Sequence, residues 1–153
     1  VLRTPSQSAT YVKIRPAGRD DAERIALLAG QLGYPSTTAQ ILQRLEHIKG
    51  DGRHAVFVAE SEADQAVGWV HVFVCHLVES DPYAEIGGLV VDERHRGAGI
   101  GQLLLEQAET WARAKACVSI RLRSNIIRKE AHQFYRKRGY TITKTQHAFA
   151  KTL

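Results

Sequence analysis

The stretch Leu89-Val90-Val91-Asp92-Glu93-Arg94-His95-Arg96-Gly97-Ala98-Gly99-Ile100-Gly101 holds the residues best suited to chemistry. An apolar strand runs into a basic, glycine-rich turn, and a helix follows at Gln102-Leu103-Leu104-Leu105-Glu106. These parts in this order make an anion site. The first turn of a helix has N–H groups without intrahelical partners and a partial positive charge. Glycine tolerates close backbone approach and dihedrals closed to other residues. Arg96 adds a planar, permanently charged donor. The run Arg96, Gly97, Ala98, Gly99, Ile100 and Gly101 is therefore a candidate cradle for a pyrophosphate-bearing ligand.

Three glycine patterns compete for it. A P-loop needs Lys then Ser or Thr after its last glycine, and Gly101 is followed by Gln102-Leu103. A dinucleotide fingerprint is met at Gly97 and Gly99 but has Gln102 where its third glycine belongs. The pattern Arg/Gln-x-x-Gly-x-Gly/Ala is met in full by Arg96, Gly99 and Gly101. It resembles the acetyl-CoA pyrophosphate loop of the GNAT superfamily of N-acetyltransferases. Downstream, Ser124-Asn125 ends a β-like run, and Ala131-His132-Gln133-Phe134-Tyr135 leads to Gly139-Tyr140. This resembles the second GNAT signature, and the resemblance extends over about residues 10 to 150.

The resemblance implies an acetyl transfer from acetyl-CoA to an amine, with no metal. Such a transfer needs a base for the amine proton, a donor for the developing oxyanion, an acid for the leaving thiolate, and contact between the reactants. In the family the strand before the loop splays from its neighbour, and the pantetheine arm pairs with its backbone. Leu89, Val90 and Val91 match those positions, with an N–H near Val90 expected to polarise the thioester carbonyl. Glu85 matches the position that often holds the base. Tyr135 matches the tyrosine that faces the CoA sulfur, and Asn125 the asparagine of the second signature. Gly87-Gly88 interrupt this strand and suggest a bulge, a close backbone approach or a plain kink.

The elements that must position these residues follow from periodicity and breakers. A strand is predicted near residues 10–17. Asp20-Asp21 then cap a helix with Ile25, Leu27, Leu28 and Leu32, stopped by Gly33-Tyr34-Pro35. A second helix starts at Ser36-Thr37-Thr38, carries Ile41, Leu42, Leu45 and Ile48, and ends at Gly50-Asp51-Gly52. Strands follow near 54–60 and 66–77. Glu79-Ser80-Asp81-Pro82 is expected to break the chain before a strand at 83–91. The helix after the loop should bury Leu103, Leu104, Ala108 and Trp111. A strand at 118–123, a helix near 128–138 and a β-like tail at 140–151 complete the order β-α-α-β-β-β-α-β-α-β. This is a mixed α/β class, and the resemblance implies a GNAT-like, centrally splayed sheet flanked by helices.

Composition sets the outer bounds. With 153 residues, 44% hydrophobic and 24% charged, the chain reads as one acetyltransferase domain, residues 1–9 being set aside as a flexible or trimmed start. No stretch approaches the roughly 20 apolar residues of a membrane span. Two cysteines, Cys75 and Cys117, suit a reducing cytoplasm and structural thiols better than a disulfide framework. The formal net charge of +5 is concentrated in Arg121, Arg123, Arg128, Lys129, Arg136, Lys137 and Arg138. Aromatic side chains do not alternate with them as on a base-stacking platform, so nucleic acid is not the expected partner. His71, His76 and His132 have no metal-ligand spacing.

The C-terminal third looks like small-molecule amine acetyltransferases, both aminoglycoside 6′-N-acetyltransferases and aminoalkylphosphonate N-acetyltransferases. Glu79, Asp81 and Glu85 form an acidic group in a basic chain, which favours a polycationic aminoglycoside. Acetylation of a protein or peptide amine, and a silent CoA-binding module, stay open. The resemblance also allows a homodimer.

Overall fold

The computed structural model of the chain describes residues 11–63 and 65–153, so the expected flexible start at residues 1–9 lies outside the described residues. The chain forms two compact units, one ending at Leu122 and the other running from Arg123 to Leu153.

The first unit is a five-stranded sheet in the order β1-β2-β3-β4-β5. Its strands are β1 (Val12–Pro16), β2 (His54–Ser61), β3 (Ala66–Leu77), β4 (Ser80–Val91) and β5 (Ile120–Leu122). Neighbours are antiparallel except β4 and β5, which run parallel. Helices α1 (Ala22–Leu32) and α2 (Thr38–Ile48) precede β2, and α3 (Ile100–Ala114) connects β4 to β5. On one face, Ile25 and Ala26 of α1 and Ile41 of α2 bury Val58, with Trp69 packed against the group. On the other, Leu104 of α3 lies over Gly68, where a Cβ would come within 3.0 Å of it.

Local chemistry explains the helix ends. The Thr37 hydroxyl accepts from the Gln40 N–H and the Gln40 side chain accepts from the Thr37 N–H, a reciprocal cap. Gly33 ends α1 in the left-handed region at φ 99°. Asp21 departs from its expected capping role. Its carboxylate accepts from Arg15 and, reaching back, from the Gly18 N–H, so it closes the short turn 19–21 before α1 and makes no cap bond to α1 itself.

Three further expectations are corrected. The stripe that α3 buries is Ile100, Leu104, Leu105, Ala108 and Ala112, whereas Leu103 is 42% exposed and Trp111 only half-buried. The buried set repeats every three to four residues, and the indole of Trp111 lies under Lys115. The chain also does not break at Pro82. Strand β4 begins at Ser80, paired with Leu77, and the ladder shifts register between Cys75 and Leu77. Pro82 falls at that irregularity, where no ladder N–H is demanded, and its carbonyl accepts from the Val118 N–H at 3.1 Å. In consequence Glu79 and Asp81 sit exposed at a hairpin tip. Finally, residues 141–153 form no strand. A strand exists only by pairing, and the second unit contains a helix, α4 (Lys129–Arg136), but no strand to pair with.

A Cβ added at Gly88 would come within 2.8 Å of the Trp69 ring, and an indole is a stiff plate. Gly88→Ala should therefore destabilise the fold by about 1–3 kcal/mol through overpacking. Urea unfolding would show a lower midpoint with an unchanged slope; an unchanged midpoint would contradict the contact.

Candidate active site

The centre of the first unit is the edge of β4. Ala84, Glu85 and Ile86 pair with Ile120, Arg121 and Leu122 of β5, and there the pairing stops. From Gly87 to Val91 the strand continues with β3 on one side only. The ladder with β3 also shifts at this point. His71 faces Gly88 and Val72 faces Ile86, so Gly87 is an extra residue and the expected bulge is present. The bulge reverses which residues face the open edge. Before it, the Ala84 N–H donates toward β5, to Ser119. After it, the Asp92 N–H donates to Val67 on the β3 side. Backbone groups alternate in direction along an antiparallel strand. Val90 therefore turns toward Trp69, while Leu89 and Val91 turn their N–H and C=O groups to the open edge. The register thus moves the expected carbonyl-polarising N–H off Val90, leaving Leu89 and Val91 on either side of it. The Val91 carbonyl accepts from Arg96 Nε at 3.1 Å.

The loop follows directly. Gly97 and Gly99 adopt φ 80° and 83°, and a Cβ on either would touch no protein atom. Their left-handed conformation, not crowding, demands glycine. Gly99 precedes α3, and Ile100, Gly101 and Gln102 form its first turn, whose N–H groups have no intrahelical partner. Arg96, Gly97, Ala98 and Gly99 are exposed beside this helix start.

One sheet face beside the bulge is polar. Directly paired residues share a face, so His54, Phe73 and Glu85 lie in one row, with Arg121 next to Glu85. His54 Nδ1 and His71 Nε2 are 3.0 Å apart, and both rings stack with or tilt against Phe73. Burial, helped by the neighbouring His54, lowers the pKa of His71 to about 4. Arg121 lies over the Tyr83 ring at 3.8 Å. Asp81 stands four residues before Glu85 on β4, on the order of 13 Å away at strand rise. Glu79, Asp81 and Glu85 therefore do not form one acidic cluster.

In the second unit, Tyr135 of α4 stacks edge-on with Phe134 and Tyr140, and burial raises its phenol pKa. The Asn125 side chain accepts from the Ile127 N–H and its carbonyl from Arg128 N–H and His132 Nε2, so it folds the turn into α4. Among the described residues no three His, Cys, Asp or Glu side chains gather as metal ligands. Both cysteines are free thiols. No helix among the described residues is long and apolar enough to cross a membrane.

Residues 22–140 match the model of the Acetyltransferase (GNAT) family. The chain belongs to the GNAT family. An aminoalkylphosphonate N-acetyltransferase of Salmonella typhimurium is 42% identical over 65 residues, a match spanning 42% of this chain and 42% of that protein. The fold is shared with the aminoglycoside 6′-N-acetyltransferase AAC(6')-Ih of Acinetobacter baumannii, at TM-score 0.81 and 20% identity, covering 94% of this chain and 99% of that one. It is shared too with the aminoglycoside N-acetyltransferase AAC(6')-Iy in complex with CoA, at TM-score 0.83 and 18% identity, covering 96% and 99%.

A group that sequence reasoning missed holds the loop of this GNAT chain in place. Asp92, with a side chain 0% exposed, directly follows β4. Its carboxylate accepts from Arg24 of α1 at 3.0 Å and from the Arg94 N–H at 3.2 Å, capping the short turn 93–95. Beside it, Gln31 of α1 accepts from the Glu93 N–H. The legible signal was a carboxylate closing an apolar strand, since a buried charge needs a partner. Burial pushes the Asp92 carboxyl up, but the Arg94 N–H, Arg24 and Gln31 outweigh it and hold it below the usual carboxylate range. The folded pKa is thus below the unfolded value of about 3.9. The stabilisation is fully present above that value and is lost as pH falls through the folded one. Asp92→Asn should cost about 3–5 kcal/mol at neutral pH, because it strands the Arg24 charge, and should flatten the acid limb of stability against pH. Denaturation at pH 7 and pH 3 would check both; equal losses at the two would contradict the assignment.

Proposed function

We propose that this chain is an acetyl-CoA-dependent N-acetyltransferase that acts on a primary amine of a small molecule by direct transfer, in a single acetyltransferase domain. The observation that carries the reading is the open edge of β4 leading straight into the Gly97–Gly99 loop and the start of α3. An extended arm can pair with Leu89 and Val91 as an added strand would, and its pyrophosphate can meet the loop and helix N–H groups. The Leu89 N–H is placed to donate to the thioester carbonyl, a stabilisation that acts where charge develops. Arg96, which already anchors the end of β4, adds positive charge at the loop. Tyr135, with a phenol that stays protonated at neutral pH, is the acid for the leaving thiolate, on the strength of the family resemblance.

For the acceptor, the separation of Glu79 and Asp81 from Glu85 removes the electrostatic case for an aminoglycoside. The local match to an aminoalkylphosphonate N-acetyltransferase supports an aminoalkylphosphonate as the first amine to test. The aminoglycoside reading keeps the support of the shared fold with AAC(6')-Ih and AAC(6')-Iy.

Thiol release from acetyl-CoA against a panel of aminoalkylphosphonates, aminoglycosides, polyamines and peptides tests the reading. Turnover is expected with one small-amine class, and Tyr135→Phe should lower kcat by roughly 10²-fold or more with little change in KM for acetyl-CoA. Turnover of peptides alone would replace the acceptor class. An unchanged rate in Tyr135→Phe would remove Tyr135 from the mechanism.

A further inference from the structure

Acetyl transfer to an amine that arrives protonated leaves one proton to be carried away, and β2 and β3 hold a pair of side chains suited to that task. His71 lies opposite Gly88 across the bulge, and its Nδ1 is 3.1 Å from where a Cβ on Gly87 would stand. The missing side chains at Gly87 and Gly88 let this ring and the Trp69 ring lean over the bulge. The bulge is also what turns Leu89 to the open edge, so an amine attacking a carbonyl held there arrives next to His71. The second imidazole nitrogen of His71 contacts His54 at 3.0 Å. His54 is the first residue of β2, directly after the exposed Gly52 and Arg53. The pair therefore runs from the bulge to the half-buried end of β2, next to the exposed Gly52 and Arg53.

We propose that His71 takes the proton from the acceptor amine and relays it through His54, with the sheet face over the β4 bulge as the acceptor side. This rests on the acetyl-transfer reading above. With His71 Nε2–H donating to His54 Nδ1, the His71 Nδ1 lone pair faces the bulge. The acceptor arrives as an ammonium ion: one N–H bond breaks as His71 Nδ1–H forms, leaving a neutral amine whose lone pair attacks the thioester carbon, and the second proton lost on amide formation balances the one the leaving thiolate takes up. His71 Nε2–H breaks as His54 Nδ1–H forms, and His54, now an imidazolium, releases its Nε2 proton to water. Both rings end neutral in the other tautomer, and proton exchange with water restores the starting tautomers before the next turnover. The relay answers a physical difficulty: burial keeps His71 uncharged down to about pH 4, so it cannot retain the proton it accepts. Passing the proton on to His54 means that His71 need not hold it. Glu85 and Tyr83 of β4, Cys75 of β3 and Arg121 of β5 share this face, and Leu32 of α1 reaches Gly88.

The test compares wild type with His71→Gln, His54→Gln and Glu85→Gln, using the best amine of the panel and a series of analogues of falling amine pKa. His71→Gln should lower kcat by roughly 10²-fold or more for the basic amine, with KM for acetyl-CoA unchanged. The deficit should shrink toward onefold for amines already neutral at the working pH. His54→Gln should show the same trend with a smaller loss. A loss in His71→Gln that is independent of amine pKa, or a pKa-dependent loss confined to Glu85→Gln, would overturn the relay while leaving the acetyltransferase reading intact. Absence of wild-type turnover with any amine would overturn that reading and the relay with it.

Discussion

Every backbone N–H and C=O needs a partner, and a strand that loses its neighbour presents a row of them to whatever arrives. In this chain the loss is confined to one side of one strand. β4 keeps β3 from end to end, interrupted only at the two irregularities, but shares only three residues with β5. The single extra residue at Gly87 then reverses the direction of the groups beyond it. Without the bulge, the alternation set by Ala84 and Ile86 would turn Val90 outward and Leu89 and Val91 toward β3. One inserted residue thus decides which amides meet a ligand, and the glycine loop and helix start follow along the same line.

A site built from backbone needs the backbone held. Asp92 does this at the junction of strand and loop, where a buried carboxylate binds the turn 93–95 from inside and Arg24 of α1 from outside. Burying an ion is costly unless it is paired, so the network is better understood as fixing geometry than as adding stability. Arg96 ties the other end of the loop to Val91. The two tethers bracket the turn, leaving Gly97 and Gly99 open to approach.

Much of this was legible in the sequence, for stated reasons. Arg96, Gly99 and Gly101 carry a pattern tied to strand, turn and helix, and periodicity placed α1, α2, β2 and β3 to within a residue or two. Gly87-Gly88 read as a possible bulge, but composition alone does not give register, so the sequence points to Leu89, Val90 and Val91 together without saying which of them face the edge. Pro82 reads as a breaker because a ladder irregularity that tolerates it leaves no mark in sequence. Glu79, Asp81 and Glu85 stand close in the chain, but a strand stretches that proximity out. The tail from Tyr140 had strand propensity, but propensity without a partner makes no strand. His71 and His54 lie 17 positions apart, and their pairing is set by β2–β3 register alone.

The central claim is that the edge of β4 past the bulge receives the acyl donor. Amide hydrogen exchange, resolved by residue with and without acetyl-CoA, tests it most directly. Free protein should show the Val90 amide protected and the Leu89 amide exchanging quickly. Acetyl-CoA should then slow exchange at Leu89 and Val91 together with the amides of Gly97 to Gly101, leaving Val90 unchanged. Protection confined to the loop, with Leu89 and Val91 still exchanging freely, would contradict the account.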